Sequence, residues 1–164
     1  MRQPLSTPSQ LRESALRTLQ IEQAAIGGLQ AKLVESFDHA CQLMLACQGR
    51  VVVTGMGKSG HIAGKIAATL ASTGTPAFFV HPGEASHGDL GMITRADVVL
   101  ALSNSGETAE VTALLPLLKR LGTPLVSMTG RPGSTLAQHS DAHLDSGVER
   151  EACPLDLAPT SSTT

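Results

Sequence analysis

The amino-acid sequence predicts an α/β fold in which a five-stranded parallel sheet is covered by helices on both faces. Two observations predict it. Short, continuous apolar runs recur along the chain, and helical patterns separate them. Strands buried on both faces of a parallel sheet have this kind of run, whereas half-exposed strands alternate apolar and polar residues. The strands are expected at 50–54, 76–81, 97–102, 124–129 and 141–146.

The helices of the predicted sheet region lie between these strands. After a glycine-rich turn at 55–60, a helix is expected over 61–73, and another over 109–122. Pro116 should kink or restart the second of these helices, because proline lacks the N–H that a helix interior needs. Shorter helices are expected within 82–93 and 134–140.

Residues 1–48 are expected to form a helical region of their own, ahead of the α/β domain at 49–164. From Leu11 to Met44, apolar residues recur at intervals of three and four. This spacing predicts one long amphipathic helix or two helices that meet near Gly27 and Gly28. An apolar stripe of this length needs a partner surface, which is either the domain's own sheet or another subunit.

Composition excludes several classes of function. The chain has 164 residues, a formal net charge of −2 and only 2% aromatic residues. We therefore expect no nucleic-acid partner, since basic faces and stacking aromatics are missing. No stretch approaches the ~20 apolar residues that span a bilayer, so no membrane partner is expected. The three cysteines form no CxxC pair, which favours a reducing, cytoplasmic location.

The segment SNSGET (103–108) is typical of a phosphate-binding turn. It places Ser103, Ser105 and Thr108 where a strand gives way to a helix. Unsatisfied N–H groups and the positive end of the helix dipole favour anions at such a point. The alternative interpretation is that these hydroxyls only cap the helix.

The turn GMGKSG (55–60) also favours anion binding, although it is not a Walker loop. Gly55, Gly57 and Gly60 match the GxGxxG pattern of dinucleotide-binding proteins. That pattern expects an acidic residue at the end of the next strand, where this chain has His81. Lys58 is better explained as a substrate contact, and the alternative is a solvated loop charge.

Polar residues concentrate after the predicted strands, where a parallel sheet places its ligands. They suit an aldose–ketose isomerisation, in which a carboxylate moves a proton between adjacent carbons and a cation stabilises the enediolate. No cofactor is expected. The cysteines and histidines lack zinc-site spacing, so a metal at His81 would be incidental. The residues in question are His81, Glu84, His87, Asp89, Glu107, Glu110, Glu149 and Glu151.

At these residues the sequence resembles the sugar-isomerase (SIS) family, and within it the arabinose 5-phosphate isomerases. The resemblance covers nearly everything from Gly49 onward. The matching stretches are VVVTGMGKSGHIAGKIAATLASTGTPAFFVHPGEASHGDLGMI, SNSGET, VTALLPLLKRLGTPL, TGRPGS and EACPLDLAPTSSTT.

The resemblance implies a three-layer, flavodoxin-like α/β/α sandwich, a homotetramer and a pentose 5-phosphate substrate, with a product that feeds Kdo and lipopolysaccharide synthesis. By the same resemblance, the catalytic residues are Lys58, Glu110 and Glu151. The implied substrate contacts are Ser59, Gly74, Thr75, His81, His87, Ser103, Asn104, Ser105 and Thr108. Which glutamate is the carbon base stays open, with a weak preference for Glu151.

The last segment of the sequence has the pattern of a helix start. APTSSTT resembles the start of a helix, which predicts a chain truncated before the further helix, histidine and CBS modules of full family members; the alternative is a frayed polar tail.

Two alternative functions remain. The first is a sugar-phosphate sensor domain of a transcription regulator, although residues 1–48 offer no basic recognition helix. An SIS isomerase for another sugar phosphate is the second.

Overall fold

Five parallel strands form the centre of the molecule. The computed structural model describes residues 7–86 and 89–164. All neighbouring strands pair in parallel, in the order β2-β1-β3-β4-β5. The expected strands are confirmed to within one residue at each end. They are β1 (Val51–Gly55), β2 (Ala77–Val80), β3 (Val98–Leu102), β4 (Leu125–Thr129) and β5 (Ala142–Asp145).

Helices surround this sheet, and three short 3-10 helices supplement them in the described part of the chain. The 3-10 helices are Leu29–Lys32, Asp89–Met92 and Ser161–Thr163. The α-helices are α1 (Pro8–Gly28), α2 (Glu35–Leu45), α3 (Gly57–Ser72), α4 (Pro82–Ser86), α5 (Ala109–Thr112), α6 (Leu115–Leu121) and α7 (Thr135–Gln138).

The sheet separates two apolar cores, which confirms the three-layer α/β/α sandwich. Successive side chains of a strand point to opposite faces. Val51 and Val53 of β1 therefore join a core with residues of α2 and α3, whereas Val52 joins a core with residues of α5 and α6. Every residue of β1 and β3 is buried, as the continuous apolar runs predicted.

Helix α3 begins at Gly57, so the prediction that this helix begins at His61 was wrong. The cause is a close approach between the start of the helix and β1. A Cβ atom on Gly60 would lie 2.6 Å from the carbonyl oxygen of Gly55, so only glycine lets the first turn of α3 pack there. As a result Lys58 and Ser59 belong to that first turn rather than to a loop.

Two predicted helix interruptions are confirmed. The expected helix at 109–122 is divided into α5 and α6, and Pro116 lies in the first turn of α6, where its missing N–H costs nothing. In the N-terminal region, α1 ends at Gly28 and α2 follows a 3-10 helix, so the two-helix alternative is correct.

The two N-terminal helices have different surroundings. Helix α2 packs against β5, with Ala40 fully buried. Ser36 of α2 satisfies the backbone groups of one residue of this edge strand. Its Oγ donates to the His143 carbonyl at 2.5 Å and accepts from the His143 N–H at 3.0 Å. Helix α1 has no buried residue. Its Leu11, Leu16, Leu19 and Ile26 are each more than half exposed.

Among residues 7–86 and 89–164, no helix combines the length and the apolarity needed to cross a bilayer.

The close approach at Gly60 leads to a test with a matched control on the same helix. We expect Gly60→Ala to lower the free energy of unfolding by about 1–3 kcal/mol, because its new methyl group overlaps the Gly55 carbonyl. Gly64→Ala should instead stabilise the protein by roughly 0.5–1 kcal/mol, since nothing lies within 4 Å of its added Cβ. Urea denaturation measures both, and equal effects would contradict the close approach.

Candidate functional site

A cleft lies above the carboxyl ends of the strands, between the sheet and the N-terminal helices. Its volume is about 690 Å³, which is within the usual range for small-molecule sites. Side chains such as Ile26, Phe37 and Ile62 make part of its lining apolar. The lining also contains four of the residues expected from the sequence, namely Ser59, Ser103, Asn104 and Glu151.

The turn at 103–108 presents unused hydrogen-bond donors. Ser103 is buried, and its Oγ lies 2.8 Å from Thr108 Oγ1 and accepts from the Gly106 N–H at 3.1 Å. Ser105 Oγ accepts from the N–H of Glu107 at 3.1 Å. Within the described residues, the N–H groups of Asn104, Ser105 and Thr108 have no acceptor. The turn can therefore donate several hydrogen bonds to an anion.

Gly106 makes the shape of this turn possible. Its φ of +65° lies in the left-handed region, which side chains other than glycine rarely adopt. A Cβ atom at this position would also overlap Ser134 at the start of α7. Glu107 supports the same junction, because its Oε1 accepts from the Thr135 N–H at 2.7 Å. Glu107 thus has a structural contact, which leaves Glu110 as the other carboxylate after the turn.

The first turn of α3 lies next to the turn at 103–108. Gly55 at the end of β1 pairs with Leu102 at the end of β3, so the segments that follow these residues are neighbours. The first turn of α3 contains no acidic residue, and the positive end of its dipole is not neutralised there. Ser59 lines the cleft. Lys58 is exposed and forms no ion pair with any described residue.

Glu151 follows β5 and is anchored by the last residues of the chain. Its Oε2 accepts from the Thr160 N–H at 2.7 Å, from Thr160 Oγ1 at 2.9 Å and from the Ser162 N–H at 3.3 Å. No described donor forms a hydrogen bond with Oε1. One oxygen is therefore fixed, and the other is available to a bound molecule.

These contacts determine the charge of Glu151. Burial raises the pKa of its carboxyl group, but Ser162 and Thr160 beside it have the opposite and larger effect. The resulting pKa lies below the ordinary value of 4.5. Glu151 is consequently ionised at neutral pH and can accept a proton.

A second long-range contact fixes the start of the segment that leads to Glu151. Lys32, from the 3-10 helix after α1, donates to the Gly147 carbonyl at 2.6 Å and lies 3.0 Å from Asp145 Oδ1. Burial raises the pKa of Asp145, but the Gly147 N–H and Lys32 outweigh it and keep that pKa below its ordinary value. No sequence pattern signals this contact, since Lys32 and Asp145 belong to distant segments.

Sequence reasoning also misses the contact between Thr160 and Glu151. The pattern APTSSTT predicts only a helix start, and a short 3-10 helix does begin there, at Ser161. Thr160 caps nothing with its side chain; it binds Glu151 instead. A threonine just before a helix is an ordinary capping signal, so the sequence alone could not distinguish these two uses.

A smaller polar depression adjoins the cleft. It has a volume of about 520 Å³ and shares Asn104 and Glu151 with the cleft. Basic and acidic residues both line this depression, so it does not favour ligands of one charge. The basic residues are Arg17, Arg131 and Arg150, and the acidic ones besides Glu151 are Glu149 and Asp156.

The other expected site residues are not gathered in the cleft of a single chain. Gly74 and Thr75 precede β2 and lie at the amino edge of the sheet, opposite the turn at 103–108. Glu110 is an exposed residue of α5. Ser105 and Thr108 belong to the turn but do not line the cleft. His87 lies outside the described residues.

His81 follows β2 at the carboxyl edge and is half-buried. Its Nδ1 accepts from the Gly83 N–H at 3.2 Å, so this ring nitrogen is already used. Within the described ranges, no three histidine, cysteine, aspartate or glutamate side chains are grouped in a way that could hold a metal ion. The described residues around His81 therefore do not form a metal site.

Comparison with known proteins places this architecture in a family. Residues 44–164 match the SIS domain. The arabinose 5-phosphate isomerase KdsD of Pseudomonas aeruginosa is 66% identical over 151 residues, and that of Escherichia coli K12 is 59% identical over 152 residues. These matches cover 92% and 93% of this chain but 46% of each relative. The chain thus spans about half the length of the curated relatives it matches.

A solved structure agrees with these matches. The protein c3406 of E. coli CFT073, in complex with arabinose 5-phosphate, has a TM-score of 0.91 and 44% sequence identity. The match covers 96% of this chain and 84% of that one. With the sequence match over residues 44–164 and the parallel five-stranded sheet, this chain belongs to the SIS domain family.

Proposed function

We propose that this chain is the isomerase domain of an arabinose 5-phosphate isomerase, which interconverts D-ribulose 5-phosphate and D-arabinose 5-phosphate through an enediol. The observation that carries the proposal is the cleft, which is lined both by Ser103 and Asn104 of the turn at 103–108 and by the ionised Glu151. The relatives named arabinose 5-phosphate isomerase and the arabinose 5-phosphate complex of c3406 support the choice of substrate.

The phosphate group binds at the turn 103–108. A phosphate needs several donors around one dianion: the unused N–H group of Asn104 belongs to a residue of the cleft, and those of Ser105 and Thr108 belong to the same turn beside it. The hydroxyls of Ser59, Ser103 and Ser105 add neutral donors. Binding at this end fixes the position of the reacting carbons, which lie at the other end of an open-chain pentose.

Glu151 is the carbon base. In the forward direction, its carboxylate removes a proton from C1 of ribulose 5-phosphate, and the electron pair of the C–H bond forms the double bond of a 1,2-enediol. The proton then returns to C2, while a proton moves between the oxygens on C2 and C1, so that atoms and charge balance. The anchored Oε2 and the available Oε1 support this role, because a base must be held within reach of the proton it takes.

Lys58 supplies the positive charge for the enediolate. It is exposed, next to Ser59 of the cleft wall, and has no ion-pair partner among the described residues, which leaves its ammonium group available. Glu110 is proposed as a second acid, which moves the proton between the two sugar oxygens. The proposed sugar contacts are Gly74, Thr75, His81 and His87.

The native protein is proposed to be a cytoplasmic homotetramer whose product feeds Kdo and lipopolysaccharide synthesis. The exposed leucines of α1 support assembly, because an apolar helix face of this length is normally covered by protein. The three free cysteines support a reducing compartment.

The phosphate assignment predicts a loss of affinity when hydroxyls are removed from the turn. In the full-length protein, Ser105→Ala and the pair Ser103→Ala with Ser105→Ala should raise the Kd for arabinose 5-phosphate by about ten- to a hundredfold, since hydrogen bonds to charged groups are the stronger ones. Calorimetry measures the Kd. Ser72→Ala, on the exposed face of α3, is the control, and an unchanged Kd in the double variant would exclude the turn.

The catalytic assignments predict a loss of turnover without unfolding. Lys58→Ala and Glu151→Gln should each lower kcat by roughly a hundredfold or more, the usual contribution of a positioned acid, base or charge. A coupled assay on both pentose phosphates measures kcat, and circular dichroism checks the fold. Lys65→Ala, an exposed lysine of the same helix, should change nothing; near-normal rates in both test variants would defeat the mechanism.

The contacts of Glu151 predict a pH effect of known sign. The carboxylate form is active, so kcat/KM falls as pH decreases through the lowered pKa of Glu151. Thr160→Val removes a donor to Oε2, which raises this pKa and moves the acid limb of the kcat/KM profile to higher pH. Thr160→Ser keeps the hydroxyl and should keep the wild-type limb.

The lowered pKa of Glu151 also makes the stability of the fold depend on pH. The donors to Glu151 stabilise the fold fully above the ordinary carboxyl pKa, and this contribution is lost as pH falls through the lowered value. Thermal unfolding of wild type and Thr160→Val should therefore differ more at neutral pH than in acid. An acid limb that does not move in Thr160→Val would show that Glu151 is not the group that titrates.

A further inference from the structure

Two adjacent hydroxyl groups in the wall of the cleft are buried without a regular hydrogen bond. Ser161 is only 5% exposed, and its Oγ has no partner within the described residues. Ser162 Oγ is buried as well; it lies near enough to Glu151 to help lower the pKa of that carboxyl group, but it forms no hydrogen bond of ordinary length and angle there. Buried hydroxyls are nearly always paired, so two adjacent exceptions require a physical reason.

The neighbouring hydroxyls of the same segment show that pairing is possible there. Thr160 Oγ1 donates to Glu151 and accepts from the N–H of Ala152 at 2.8 Å. Thr163 Oγ1 donates to the carbonyl of Thr160 at 3.0 Å. Ser161 and Ser162 lie between these two residues and form no such bond, although a serine can readily bond to its own backbone.

The segment that carries the two hydroxyls lies at the same cleft as the phosphate-binding turn. The 3-10 helix Ser161–Thr163 packs against both α1 and α3. Ser161 and Ser162 line the same cleft as Ser103 and Asn104. A molecule that fills the cleft therefore meets both sets of residues.

We propose that Ser161 and Ser162 form a binding subsite for the hydroxyl groups of an open-chain sugar phosphate. The inference rests on the proposed function and adds the sugar end of the substrate to it. A serine hydroxyl both donates and accepts, which matches a sugar hydroxyl. A phosphate dianion accepts only, and the N–H groups at 103–108 already provide for it.

In this arrangement one short segment both holds the carboxylate of Glu151 and binds the sugar. Thr160 fixes Oε2 of Glu151, and the next two residues bind the sugar chain. The base and the sugar are thereby held by the same turn of backbone, and the distance between them is set without any movement of the sheet.

The test compares a sugar phosphate with phosphate alone, on the full-length protein. Calorimetry gives the Kd of arabinose 5-phosphate and of inorganic phosphate for wild type, Ser161→Ala, Ser162→Ala and the control Ser72→Ala. We expect each cleft variant to raise the Kd of arabinose 5-phosphate by about five- to tenfold, the effect of one hydrogen bond, and to leave the Kd of inorganic phosphate unchanged. Ser103→Ala with Ser105→Ala should weaken both.

Thermal unfolding separates this role from a structural one. Because Ser161 Oγ has no hydrogen-bond partner in the described fold, Ser161→Ala should unfold at or above the wild-type Tm, whereas loss of a structural hydroxyl would lower it. A wild-type Kd for arabinose 5-phosphate in both serine variants, or an equal loss of affinity for phosphate, would overturn the subsite. A wild-type protein that binds arabinose 5-phosphate but isomerises neither pentose phosphate would overturn the proposed function and leave the subsite standing.

Discussion

The parallel pairing of all five strands is the constraint on which the candidate site depends. It sends every carboxyl end to one edge of the sheet, so segments far apart in the chain become neighbours. Ser59 follows β1, Ser103 follows β3 and Glu151 follows β5, yet all three line one cleft. An antiparallel partner at any of these strands would remove its turn from that edge. The strand topology is therefore what brings the candidate site residues together.

Two polar contacts between distant segments hold the residues around the cleft in place. Lys32 ties the N-terminal helices to the end of β5, and Thr160 ties the last residues of the chain to Glu151. Both contacts hold a carboxylate whose pKa is lowered in the folded state. Apolar side chains such as Ile26, Phe37 and Ile62 also line the cleft, and this part of its surface offers no hydrogen bonds to water.

The parts of this fold that could be predicted from sequence are those encoded locally. The continuous apolar runs located all five strands, and Pro116 located the break between α5 and α6. The start of α3 was predicted four residues late, because glycine usually signals a turn and the close approach of Gly60 to Gly55 is a tertiary contact.

The candidate site shows the same division. The polar segments at 55–60 and 103–108 could be assigned to the cleft edge because each lies at the end of a predicted strand. The partners of Glu151 could not, since nothing in the pattern APTSSTT distinguishes a hydroxyl that caps a helix from one that binds a carboxylate. Gly74 and Thr75 were expected among the substrate contacts through family resemblance alone. They directly precede the strand predicted at 76–81, so the strand pattern itself puts them at the amino edge, away from the turn at 103–108.

The double contact between Ser36 and the backbone of His143 has a consequence for how such chains can associate. An outer strand normally offers a row of unsatisfied N–H and C=O groups that invites another strand to add on, which is the usual route to aggregated β-structure. On β5, one donor and one acceptor in the middle of that row are already satisfied by a serine side chain. A strand that added to this border would have to displace Ser36, so sheet extension at β5 is hindered.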